Sequence, residues 1–86
     1  MYLHLGQDTV VCFDDIIGIF DLDNTTVSKI TRDYLTKAEK SGKVINVSTE
    51  LPKSFVLCNH KDGNKIYISQ ISSSTLLKRA GESYGL

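Results

Sequence analysis

The chain has 86 residues, 41 % of them hydrophobic and 23 % charged, with ten basic and ten acidic side chains. This predicts one globular domain with a single modest core. No apolar run approaches the roughly 18 residues that a membrane span requires. The opening Met1-Tyr2-Leu3-His4-Leu5 lacks the basic region of a signal peptide, so a cytoplasmic protein with no membrane partner is expected. The net charge of zero hides a sorted chain. Residues 1–28 carry Asp8, Asp14, Asp15, Asp21 and Asp23 and no Lys or Arg, a balance of −5. Residues 29–79 hold all ten bases against Asp33, Glu39, Glu50 and Asp62, a balance of +6. If folding keeps the two sets apart, one face attracts anions and another attracts cations, whereas a solvated surface with a chance bias does neither.

In chain order, Tyr2–Leu5 reads as a first strand, Gly6-Gln7-Asp8 as a tight turn, and Thr9–Phe13 as a second strand rich in β-branched residues. Ile16–Asp21 is a candidate third, since runs of four to six apolar residues favour strands over helices. A helix is predicted from Thr26 to about Ser41. At about 100° per residue, Val27, Ile30, Thr31, Tyr34, Leu35 and Ala38 fall on one side, and the charged residues fall on the other. Asn24 or Thr25 can cap its start, where Asp23 suits the positive end of the dipole. Gly42 stops it, and Lys37, Lys40 and Lys43 suit its negative end. The apolar stripe is expected to pack on a sheet. Val44–Val47 is a fourth strand, ended by Leu51-Pro52. Phe55–Asn59 and Lys65–Ser69 flank His60-Lys61-Asp62-Gly63-Asn64, a hairpin signalled by Asp-Gly. Ser72-Ser73-Ser74-Thr75 offers caps for a short helix, Leu76–Ala80, which Gly81 can end. Residues 82–86 read as a frayed tail behind a single domain of residues 1–81. The expected fold is α+β: a small antiparallel-rich sheet of about five or six short strands, one long amphipathic helix and a short C-terminal helix.

Few motifs carry catalytic chemistry. The two cysteines, Cys12 and Cys58, form no CxxC and read as buried thiols in a reducing compartment. With His4 and His60 they offer only one short Cys/His pair, Cys58-Asn59-His60, where zinc sites show paired ligands. No metal or other cofactor is expected. Ile16–Val27, an apolar run followed by Asp21-Leu22-Asp23-Asn24-Thr25, resembles the first motif of haloacid-dehalogenase-type phosphatases. There, two carboxylates one residue apart point the same way from an extended segment and serve as nucleophile and acid/base. That family needs a larger doubly wound sheet and a downstream Lys and acidic pair, which this chain lacks; Asp21 and Asp23 read instead as a strand end and a capping segment. The same pair opens like a calcium loop, but Thr26 and Arg32 occupy the positions that need Gly and Glu. The glycines form no phosphate-binding loop. The chain is therefore expected not to be an enzyme.

The bases are the remaining candidates. Lys29, Arg32, Lys37 and Lys40 share a helix face, Lys43 follows it, Lys53 comes after Pro52, and Lys78-Arg79 lie on the last helix. Lysines dominate, which suits contacts to phosphate more than bidentate reading of bases. The alternative is a solvated helix face.

The ordered motifs Tyr2-Leu3-His4-Leu5-Gly6, Val10-Val11, Ile16-Ile17-Gly18-Ile19-Phe20-Asp21 and Pro52-Lys53-Ser54 resemble the RemA/RemB family of bacterial extracellular-matrix regulators, in its RemB-like branch. The ending Ser72-Ser73-Ser74-Thr75-Leu76-x-Lys78-Arg79-Ala80 is the most specific part of the resemblance, which spans about residues 1–80. It implies a small cytoplasmic regulator from Firmicutes acting on extracellular-matrix (biofilm) gene expression. The RemA branch contains DNA-binding activators whose subunits form rings, with DNA following the outside and a fold akin to the LytTR DNA-binding domain. The implied partners are further copies of the chain and double-stranded DNA or a DNA-binding paralogue. Of the bases above, Lys53, Lys78, Arg79 and Lys43 are the candidate DNA contacts, of which the resemblance supports Lys53, with Lys29, Arg32 and Lys40 as further bases on the helix face. The chain departs from the RemA branch at two points: Asp15 stands in place of an arginine, and Glu50-Leu51 in place of an arginine pair. Those contacts do not carry over, whereas Lys53 matches a basic position. The other readings are an oligomeric protein-interaction module without DNA binding and, more distantly, the phosphatase.

Overall fold

A computed structural model describes residues 1–22 and 29–83 of the chain. Its elements are β1 (Tyr2–Gly6), β2 (Thr9–Cys12), a 3-10 turn (Phe13–Asp15), β3 (Ile16–Asp21), α1 (Lys29–Lys40), β4 (Val44–Asn46), β5 (Ser54–His60), β6 (Gly63–Ser69) and α2 (Ser73–Ser83). The fold is α+β. Its six strands form two sheets rather than the single sheet expected: a β1–β2 hairpin, and a four-stranded sheet in the order β3-β5-β6-β4. The β3–β5 and β5–β6 pairs are antiparallel, and β4 joins β6 in parallel. Pairing of His60 with Gly63 leaves Lys61-Asp62 as a two-residue loop, and Gly63 has a φ of +114 that a side chain would strain.

Alternation in the central strands explains the layers. Val56 and Cys58 of β5 point to one face, and Phe55 and Leu57 to the other, so both faces are apolar and both need a cover. On the first face, Leu3, Leu5 and Val11 of the hairpin and Leu76 of α2 pack with Val56, Cys58 and Tyr67. On the second, Leu35 and Ala38 of α1 pack with Phe55, Leu57, Ile66 and Ile68. Two buried serines tie the first cover down. The Ser69 hydroxyl donates to the Leu5 carbonyl at 2.7 Å and accepts from the Ile71 N–H at 3.0 Å. The Ser54 hydroxyl donates to the Ile71 carbonyl at 2.7 Å.

The helices differ from expectation in two ways and agree with it in a third. First, α2 spans 11 residues against 12 in α1, so it is not a short appendage. It starts early because the Ser72 hydroxyl accepts from the Thr75 N–H at 3.2 Å and the Ser72 carbonyl accepts from the Leu76 N–H at 3.1 Å. It runs past Gly81, which is not among the glycines with positive φ (Gly6, Gly42 and Gly63), and ends at Ser83. Second, the stripe of α1 is only partly buried. Ala38 is buried and Leu35 half-buried, but Ile30 is 81 % and Tyr34 44 % exposed. Third, α1 ends at Gly42 as predicted, through a Schellman turn: Lys43 N–H donates to the Ala38 carbonyl and Gly42 N–H to the Glu39 carbonyl, with Gly42 at a φ of +72. The expected start of this helix at Thr26, its caps at Asp23, Asn24 and Thr25, and Val27 lie outside the described residues, as do residues 84–86. Cys12 is also a correction, because it is half-buried at the hairpin edge while Cys58 is fully enclosed.

Candidate nucleic-acid interface

The backbone fixes the base-bearing positions firmly. Pro52 has no N–H, but the next residue is clamped: Lys53 N–H donates to the Ser69 carbonyl at 2.9 Å, and the Lys53 carbonyl accepts from Leu22 N–H at 2.9 Å. Lys43 is held the same way, between the Ala38 carbonyl and the Ile66 N–H, each at 2.9 Å. Lys53 and Lys43 thus flank β6 on its two sides, and both side chains are exposed. On α2, buried Leu76 anchors the helix and turns Lys78 and Arg79 outward, where an Arg79 Nη1 lies 3.5 Å from the His4 carbonyl, at the limit of a hydrogen bond. On α1, Lys29, Arg32, Lys37 and Lys40 are all exposed.

These bases do not form one surface on a single copy. α1 and α2 cover opposite faces of the four-stranded sheet, so their cations point apart. The fold brings together Lys37 and Lys43, which share a hollow, and it places Lys53 beside the segment 69–71 that leads into α2. None of the lysines or arginines forms a salt bridge with an Asp or Glu among the described residues. Exposed cations without acid partners keep their full attraction for an external anion.

One polar contact among the described residues, between Asp15 and His60, is not suggested by the sequence. Asp15 Oδ2 lies 3.4 Å from His60 Nδ1, and His60 Nε2 is 3.0 Å from the Tyr67 hydroxyl. With the ring proton on Nδ1, facing the carboxylate, Nε2 accepts from the Tyr67 O–H. The two rings meet edge to face, 6.0 Å apart at 84°. Asp15 and His60 are 45 positions apart in sequence, and only the β3–β5 pairing joins them. Burial pushes the Cys58 thiol up to about 11, with Asp15 adding to the effect. Burial raises the Tyr67 hydroxyl too, followed by Cys58 and Asp15. Both groups therefore stay protonated at neutral pH, which makes Cys58 a packed thiol rather than a nucleophile. No group of three or more His, Cys, Asp or Glu is placed to hold a metal ion among the described residues. Asp21 ends β3, an edge strand antiparallel to its neighbour, where the phosphatase resemblance required a doubly wound sheet; Asp23 lies outside the described residues. No helix among the described residues is long and apolar enough to cross a membrane.

Comparison with known proteins covers the same span as the fold. The family model "RemA-like: Extracellular matrix regulatory protein A-like" matches residues 2–80, from the first residue of β1 into α2. Extracellular matrix regulatory protein B of Bacillus subtilis (strain 168) is 44 % identical over 80 residues, covering 93 % of this chain and 90 % of that protein. Both sheets, α1 and most of α2 fall inside the family match, and the relative covers nearly the whole chain, so the chain belongs to the RemA-like family of extracellular matrix regulatory proteins.

Proposed function

We propose that the chain is a non-enzymatic, cytoplasmic regulator of extracellular-matrix gene expression that self-associates and contacts DNA through phosphate. The observation that carries this reading is the set of exposed lysines and arginines that have no acid partner among the described residues, in a chain whose relative is named as an extracellular matrix regulatory protein. Asp15 offers no cation to DNA, and its carboxylate lies against His60. Glu50 is exposed in the loop before Lys53 and adds a negative charge there. Lys53, Lys78 and Arg79 then supply about two or three phosphate contacts per copy, too few for tight binding by a monomer. Several copies on one duplex multiply those contacts by avidity.

Self-association is supported by what one copy leaves uncovered. The outer edges of β3 and β4 have no strand partner within the four-stranded sheet. Phe20, Ile30 and Tyr34 remain exposed on the α1 side. One experiment tests both parts: gel-shift titration at two salt concentrations, with oligomer mass measured by light scattering in the same samples. The expected result is an assembly larger than a dimer whose DNA affinity falls steeply with salt and varies little with sequence. Lys53→Glu and the Lys78→Glu/Arg79→Glu pair should weaken binding to all duplexes, and Lys29→Glu should matter less. An oligomer that gives no shift in low salt would replace this reading with a protein-interaction module, and a monomer at high micromolar concentration would remove the assembly.

A further inference from the structure

A hollow of about 290 Å³ lies between the C-terminal half of α1 and the β4–β6 pair. We propose that it binds a small phosphomonoester whose remaining body is short and planar or apolar. Its floor is apolar, formed by Ala38 and Ile66. Tyr34 forms one wall, and its exposed ring offers a face for stacking. Lys37 and Lys43 supply two cations, Ser41 a hydroxyl and Asn64 an amide, and no acid lines the space among the described residues. A phosphomonoester carries nearly two negative charges at neutral pH, which the two ammonium groups match.

The end of a helix normally repels an anion, because its last carbonyls are free. Here three of the last four carbonyls are occupied. Ser41, Lys43 and Gly42 N–H groups donate to the carbonyls of Lys37, Ala38 and Glu39. The Schellman turn thus blunts the negative pole and carries Lys43 across to the strand side of the hollow, facing the helix that bears Lys37. The side chains of Ser41 and Asn64 make no hydrogen bond among the described residues, which leaves both as donors for phosphate oxygens. The volume sits at the small end of ligand clefts, which run from roughly 300 Å³ upward. It fits a single ring rather than a dinucleotide. A phosphate in duplex DNA is a diester on the surface of a rod, and no part of the rod can reach the Ala38–Ile66 floor. The site is therefore argued separately from the DNA contacts, although Lys43 belongs to both.

The test is titration of the full chain, labelled with 15N, with phenyl phosphate, with inorganic phosphate, and with a short DNA duplex. Phenyl phosphate should give saturable shifts at the amides of Lys37, Ser41, Lys43 and Asn64. Lys37→Gln or Lys43→Gln should each weaken it by about tenfold, the loss of one charge-assisted contact. Tyr34→Ala should weaken phenyl phosphate while leaving inorganic phosphate nearly unchanged. All three side chains are exposed, and the amide spectrum itself reports whether each variant stays folded. No saturation by about 20 mM, where a site weaker than millimolar would lie, would overturn the proposal. So would unchanged affinity in both lysine variants, or shifts of these four amides by the duplex and not by phenyl phosphate. Binding of phenyl phosphate without any DNA binding would sustain this site and refute only the DNA reading.

Discussion

Ser69→Ala should cost far more than the loss of one hydroxyl on this 86-residue chain suggests. The side chain is fully buried, and its oxygen joins three elements: it lies on β6, donates to Leu5 of β1 and accepts from Ile71 ahead of α2. Removing it leaves the buried Leu5 carbonyl and the partly buried Ile71 N–H without this partner. Each such group costs about 1–3 kcal/mol, and some local relaxation offsets part of this, so the expected loss is about 2–4 kcal/mol. A chain of this size has roughly 4–13 kcal/mol in total, so the variant loses a large share of its stability. Urea unfolding followed by far-UV circular dichroism should show a lower midpoint with an unchanged slope. The thermal midpoint should fall by about 10–25 °C. Ser74→Ala, at an exposed hydroxyl beside Ser72, is the control and should change stability by less than about 0.5 kcal/mol. A loss below that same threshold, about 0.5 kcal/mol, in Ser69→Ala would refute the view that this hydroxyl fastens the hairpin and α2 to the sheet.

Alkaline pH gives an independent check. The Cys58 thiol is raised from 9.0 to about 11 in the folded chain, so the folded state holds its proton where the unfolded state has lost it. That contribution is complete below pH 9 and disappears as pH rises toward 11, which lowers stability by up to about 2 kcal/mol. The raised Tyr67 acts in the same direction as pH climbs past its ordinary value of 10.0. Cys58→Ala should flatten this pH dependence in denaturation curves, despite its own cavity cost. Gly18→Ala should destabilise by about 1–2 kcal/mol, because a Cβ there would come 2.8 Å from two ring atoms of Phe20 and push that ring off its 4.8 Å stack with Phe55. Adding Phe20→Leu to Gly18→Ala should recover part of the loss in the same urea assay. Glu50→Arg, on an exposed loop, should strengthen duplex binding and steepen its salt dependence by about one counterion.

Local chemistry was readable in the sequence. Gly42 marked the end of α1 because a left-handed residue closes a Schellman turn, and Asp62-Gly63 marked the hairpin because Gly63 takes the positive φ that follows its loop. What failed depends on distance. Alternation shows that a strand has two faces but not which strand it pairs with, so the split into two sheets was hidden, as was the parallel union of Val44–Asn46 with Ile66–Ile68. Ile30 and Tyr34 matched a helical stripe, yet the sheet beneath is covered by Leu35 and Ala38 and leaves them in solvent. The candidate site was half readable. Each lysine was identifiable, but whether α1 and α2 share a face is set by the layer order, which no local pattern encodes. Asp15 and His60 meet across the β3–β5 pair, and no spacing announces that contact.

The hairpin of β1 and β2 shares no ladder with the four-stranded sheet. It is held by apolar packing, the Ser69 bond and the marginal Arg79 contact, and it reaches β3 through the turn Phe13–Asp15. Lifting it away breaks few backbone hydrogen bonds outside the hairpin itself, whereas separating β5 from β6 unzips a seven-residue register. Native-state amide hydrogen exchange should therefore resolve two tiers: a partial opening that releases the hairpin, and a global one that releases β5 and β6. The partly open form bares Val56 and Cys58 while its central strands stay paired. At high concentration, a hairpin from another copy can dock on that bared face, which makes exchange of the N-terminal hairpin between copies the characteristic misassembly of this architecture.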